Sequence, residues 1–163
     1  MCFFTFSSAT VGFAQIDIKT KIDAQTYSNY SRSIDLIEPL VNPNDTITLF
    51  IPINFAFSNL SEVKQNEIFI EKKTNAIINF LSNHSAIGTY DILYFDRHLS
   101  TNSSLNKIEL KSLNSIFFEK NIDKYLFGDS PNPRTVKFET HVVKTVYLNE
   151  NIVLNFLDGI FSF

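Results

Sequence analysis

Hydrophobic spacing changes character along the chain. Between Ser28 and Val41, Ile34, Ile37, Leu40 and Val41 fall at i, i+3, i+6 and i+7, which predicts an amphipathic helix. Asn42-Pro43-Asn44-Asp45 closes it with turn residues. From Thr46 to Ile51, Ile47, Leu49 and Ile51 alternate with Thr46, Thr48 and Phe50. Both parities are partly apolar, which predicts a strand covered on both faces and stopped by Pro52. Ile53 to Leu60 reads as a short helix with Asn54 as its N-cap, and Ser61 to Ile68 as a second helical turn. Glu71 to Asn83 is the clearest helix, with Ala76, Ile77, Phe80 and Leu81 on one face. Ala86 to Gly88 reads as a turn, and Tyr90 to Phe95 fits a short helix or a short strand.

From Lys107 the spacing shortens. Ile108, Leu110, Leu113, Ile116 and Phe118 fall in brief runs broken by Asn and Ser, and Tyr125 to Phe127 forms another. Residues 128–133 form a Gly- and Pro-containing loop. Thr135 to Phe138, His141 to Leu148 and Ile152 to Phe163 are Val- and Phe-rich, which predicts strands. Asn149-Glu150-Asn151 supplies a hairpin turn between the last two. Helices lead and strands follow, an order that favours α+β over alternating α/β.

Composition sharpens this picture in three ways. The 163 residues suffice for one domain and one well-buried interior. The apolar content is aromatic in kind, with 17 Phe and 6 Tyr against one Met and no Trp, so the core should be Phe-dense. A net charge of −3 without a basic stripe argues against nucleic acid as a partner. The single Cys2 excludes an intramolecular disulfide and any Cys-based zinc site.

Cys2 to Ala14 is apolar, small and uncharged, and it changes abruptly at Gln15. Gly12 and Ala14 fit the small positions of a signal-peptidase site, so the segment predicts export, although no Lys or Arg precedes the apolar run; an N-terminal strand packed on the domain is the alternative. No run is long enough for a transmembrane helix. The expected division is a signal segment at 1–14, a lead segment at 15–30 and a domain at 31–163, the last boundary being the one implied by the resemblance described next.

Three ordered blocks carry a resemblance. Thr48-Leu49-Phe50-Ile51-Pro52-Ile53-Asn54-Phe55-Ala56-Phe57 resembles the first signature of fasciclin domains, with matches at Thr48, Phe50, Pro52, Asn54, Ala56 and Phe57. A helix running through Leu81 to His84, with Gly88 beyond it, is similar to the second. Asn151 to Phe161, which contains Asp158, is similar to the C-terminal strand block. Ile53, Phe55 and Asn83 replace the family's Thr, Glu and Tyr. The resemblance implies a bacterial-type secreted fasciclin-like protein. Its fold would be a wedge of two small β-sheets with helices packed at one side. The implied function is non-enzymatic: cell adhesion, or contact with a surface or matrix protein or polysaccharide. No cofactor and no metal are implied. The matched residues, His84 among them, are expected to build the domain.

Other chemistry is weakly signalled. Asp96-Arg97-His98 puts a carboxylate near an imidazole, but the Asn- and Ser-rich sequel suggests a solvated loop. Phe50, Phe55 and Phe57 read as core, with Phe55 the exception to watch because the family has a polar residue there. Asn-x-Ser/Thr occurs at Asn29, Asn44, Asn59, Asn83 and Asn102, as expected by chance in an Asn-rich chain. A small-ligand carrier with a Phe-rich pocket is the alternative reading. It requires a continuous apolar cavity of about 300 Å³ or more.

Overall fold

The computed structural model describes residues 27–30, 45–99, 106–121, 124–131 and 139–161. The proposed signal segment, most of the first helix and the Thr135–Phe138 strand lie outside them.

Strand β1 (Ile47–Pro52) is buried along its whole length. A 3-10 helix follows (Asn54–Asn59), then α1 (Glu62–Gln65), which loosens into a π-helical turn at Asn66–Ile70. Helix α2 spans Thr74–Asn83. It begins three residues later than the spacing predicts because Lys72 takes a left-handed backbone, with φ 52°, which no α-helix accommodates. Ser85–Ile87 forms β2 where the sequence suggested a turn, and Tyr90–Phe95 resolves as helix α3 (Ile92–His98). Asp91 accounts for that outcome. Its Oδ1 accepts the Tyr94 backbone N–H at 2.6 Å, satisfying one of the free donors at the start of the helix. Strands β3 (Lys107–Glu109), β4 (Ser115–Asn121), β5 (Lys124–Gly128), β6 (Glu139–Asn149) and β7 (Ile152–Leu157) complete the chain.

The strands hydrogen-bond in the order β2-β1-β7-β6-β5-β4-β3. Only β1 and β7 run parallel; the other registered pairs are antiparallel. Two sheets meet in β6. Its first residues pair with β5, ending at Leu126↔His141, and from Val142 it continues with β7. A register shift between Val142 and Lys144 marks the handover, as a bulge redirects a strand. Both edges, β2 and β3, are three residues long, which limits edge-to-edge pairing.

Period-two alternation divides the interior. Ile47, Leu49 and Ile51 of β1, with Ile152, Leu154 and Phe156 of β7, face a cluster closed by Phe57, Ile77, Phe80 and Leu81. Phe50 and Leu157 point the other way, into a second cluster with Phe95, Phe118, Tyr125, Phe127 and Phe161. That second cluster holds much of the expected aromatic density.

Candidate functional site

The signature residues converge on the junction between the two clusters. At the end of α2 the last carbonyls need partners, and the residues that follow supply them. His84 Nδ1–H donates to Phe80 O at 2.9 Å, and Ser85 Oγ donates to Leu81 O at 2.9 Å. His84 Nε2 accepts the Phe161 N–H at 3.1 Å, and its ring stacks on Phe161 with centroids 5.1 Å apart. Both ring nitrogens are therefore committed, which fixes the neutral Nδ1–H tautomer. Complete burial pushes the imidazole pKa down to about 4, against the smaller opposing effect of the Phe80 carbonyl. The backbone of His84 also accepts from Phe50 N at 2.9 Å, so one residue joins α2, β1 and the chain beyond β7.

The other signature residues surround this joint. Thr48 is buried, and its hydroxyl donates to Gly88 O at 2.7 Å and accepts from Tyr90 N at 2.9 Å. Gly88 has φ 120°, a conformation that disfavours side chains, and a Cβ there would lie 3.1 Å from the Tyr90 ring. Phe50 is fully buried against the Phe127 and Phe161 rings. Pro52 ends β1 opposite Leu157, and Ala56 and Phe57 turn inward from the 3-10 helix. Asp158 closes the far end of the sheet. Its Oδ1 accepts from His141 N at 2.7 Å and Thr140 Oγ1 at 3.2 Å, and its Oδ2 lies 3.1 Å from His141 Nδ1.

Three expectations need correction. Asn54 does not cap its own helix: the N-cap is Ile53, without a side-chain bond. The Asn54 amide instead spans 25 residues, accepting from Asn29 N and donating to Ser28 Oγ, both at 2.9 Å. Phe55 is 78% exposed, because the tight 3-10 turn directs Ala56 and Phe57 inward and leaves it outside. Asp96, Arg97 and His98 end helix α3 and do not form a loop. There Asp96 pairs with Lys120 at 2.8 Å, while His98 stacks on Tyr94 with centroids 4.0 Å apart.

As chemistry, the junction is inert. His84 has no proton to exchange near neutral pH and no exposed atom. The His141–Asp158 pair has a hydroxyl beside it, but Thr140 is fully buried and its proton is directed at the same carboxylate. Among the described residues, no group of three or more His, Cys, Asp or Glu is placed to hold a metal ion.

The fasciclin domain model matches residues 23–162. The chain belongs to the fasciclin domain family. It is similar to a solved FAS1 domain pair from the insect cell adhesion molecule Fasciclin I, at 14% identity and a TM-score of 0.65. The match covers 90% of this chain and 50% of that one, so this fasciclin domain spans half the length of the pair. At that identity the likeness shows the fold, with helices leading and strands following as expected. No curated protein matches the sequence. Fasciclin domains are associated with cell adhesion.

Residues outside the signatures shape the accessible surface of this fasciclin domain. Asp91 Oδ2 accepts from the Tyr147 hydroxyl at 2.6 Å, a bond that, with some burial, pushes the phenol pKa up to about 12. Beside this tie, Ile92, Val143 and Tyr147 are 41%, 47% and 52% exposed. Buried Asn155 adds a second tie, donating to Tyr90 O and accepting from Thr145 Oγ1, both at 2.7 Å. Asp91 had a sequence signal, as a capping residue before an apolar run. Asn155 had none, since a polar residue inside a buried strand identifies no partner. No described helix is long and apolar enough to cross a membrane.

Proposed function

We propose that this fasciclin domain is an exported, non-enzymatic binding module that contacts a surface or matrix protein or polysaccharide. The observation that carries this reading is the exposed patch of Ile92, Val143 and Tyr147, held by the Asp91–Tyr147 hydrogen bond. A fixed apolar surface left in water is the mark of a docking site. Export rests on the apolar segment at 2–14 and its cleavage pattern. The carrier alternative fits less well. The apolar pocket between α1 and α2, lined by Leu60, Ile68, Ala76, Phe80 and Phe161, measures about 130 Å³. That is below the roughly 300 Å³ at which ligand pockets begin, and the larger space of about 500 Å³ beside β5 and β6 is an open groove with Asp96, Lys120 and Lys124 in its lining, not an enclosed apolar cavity.

Fractionating cells that make the full-length protein, and assaying the purified chain against cell-surface and matrix fractions, tests the proposal. It predicts recovery outside the cytoplasm and saturable binding that weakens in an Ile92→Ser/Val143→Ser variant. Confinement to the cytoplasm, or binding to none of the fractions, would refute it.

A further inference from the structure

Residues 110–114 form the tight turn between β3 and β4. Leu113 N–H donates to Leu110 O and Leu110 N–H to Asn114 O, both at 2.9 Å. Leu113 takes the left-handed position of that turn, with φ 68°. Glycine adopts this backbone freely, and a side chain is carried there only at a cost. Burial does not offset the cost. Leu113 is 79% exposed, the highest exposure of any large apolar side chain among the described residues. The turn is also held firmly. Lys111 N–H donates to Ser85 O at 2.8 Å, Ser112 N–H to Ser82 O at 3.2 Å, and the Asn114 amide to Asn83 Oδ1 at 2.9 Å. Backbone strain persists where the surroundings over-determine it, and such positions cluster where proteins meet ligands or partners.

Asn83 places this turn beside the pocket between α1 and α2, which it lines together with Ile68, Ala76 and Phe80. Exposed Lys64 and Asn79 also line the pocket, so it opens to solvent. Its volume of about 130 Å³ is small for a ligand but close to the roughly 150 Å³ that accommodates a benzene-sized group. One branched aliphatic side chain suits it. Leu113 of the same chain leaves it empty, since that side chain stands in solvent. A strained apolar knob and a hole of matching size therefore lie side by side on one face, and that adjacency selects the occupant. When knob and hole share a face, a two-fold axis can seat each knob in the other molecule's hole and close the assembly as a dimer. On opposite faces they would generate an open chain. We propose that a second copy of this chain docks here, with Leu113 of each molecule entering the pocket of the other. Exposed Val63 and Ile70, on the segment that carries Lys64 and Ile68, add apolar surface beside the pocket. The contact shares no residue with the Ile92, Val143 and Tyr147 patch, so it goes beyond the binding-module reading and does not depend on it.

Sedimentation equilibrium of the full-length protein tests this. The wild-type chain should show a reversible monomer–dimer equilibrium. Leu113→Gly removes the knob and relieves the backbone, and Ala76→Leu fills the hole from its wall. Each should weaken dimerisation at least roughly tenfold. Leu113→Gly should do so without loss of thermal stability, because glycine suits that backbone. An equimolar mixture of the two variants pairs one intact knob with one intact hole. It should associate at least roughly tenfold more tightly than either variant alone. Ile92→Ser/Val143→Ser should dimerise like the wild type. A wild-type chain that stays monomeric up to about 1 mM, undiminished dimerisation in Leu113→Gly or Ala76→Leu, or a mixture no tighter than its components would each overturn the inference. The two readings are scored separately: a monomeric chain that still binds surface fractions refutes the dimer and leaves the module standing.

Discussion

The junction at His84 and the groove between β5 and β6 belong to one run of strands but treat polar groups in opposite ways. At the junction, each polar atom of the His84 ring has a partner inside the protein, and water is excluded. In the groove of about 500 Å³, Lys124 is left to solvent beside exposed Ile92 and Val143, while Lys144 Nζ lies 6.0 Å over the Phe156 ring. None of the matched signature residues lines the groove. The residues that mark the chain as a fasciclin domain are packed into the scaffold, and the groove is lined by others. A satisfied buried network rigidifies a core, whereas solvent-exposed side chains contribute little to it.

Perturbing the two regions should separate them. The largest effect is expected from Phe50→Ala, which removes a fully buried ring from between Phe127 and Phe161. It should lose about 3–5 kcal/mol in urea denaturation. Acid should act nearly as strongly through His84. Its folded pKa, about 4, lies below its ordinary 6.5, so the unfolded chain takes up the proton first. The contribution is intact above pH 6.5 and is lost as pH falls toward 4, by on the order of 3 kcal/mol. Equilibrium unfolding between those pH values should show this loss, and His84→Phe should flatten the slope. Asp158→Ala leaves the N–H of half-buried His141 and the hydroxyl of fully buried Thr140 without this acceptor and should cost about 1–2 kcal/mol. The smallest change in stability, under about 0.5 kcal/mol, is expected for Lys124→Glu, an exposed side chain at the start of β5. A thermal melt of that variant checks it, and a large loss would mean that this lysine builds the fold.

The contrast also explains what the sequence could and could not disclose. Thr46–Ile51 was legible as a doubly covered strand because both parities are apolar, and Glu71–Asn83 as a helix because its apolar stripe is long. The hairpin at Asn149–Asn151 was legible from turn chemistry. Three-residue β2 was not, since so short a strand exists only through pairing with β1. Asn54 misled for a related reason: its local position suits a cap, but a partner 25 residues away takes the amide. The groove was hidden for the same cause. Ile92, Lys124 and Val143 are far apart in sequence, and only the parting of β6 from β5 assembles them.

The central claim, that recognition residues and scaffold residues are separate sets, is tested most directly by a crossed measurement. Unfolding free energy and binding to surface fractions would be determined side by side for His84→Ala and for Ile92→Ser/Val143→Ser. His84→Ala is expected to lose about 3 kcal/mol of stability while its folded fraction binds normally, whereas Ile92→Ser/Val143→Ser keeps its stability and binds weakly. Normal stability with abolished binding in His84→Ala would contradict it.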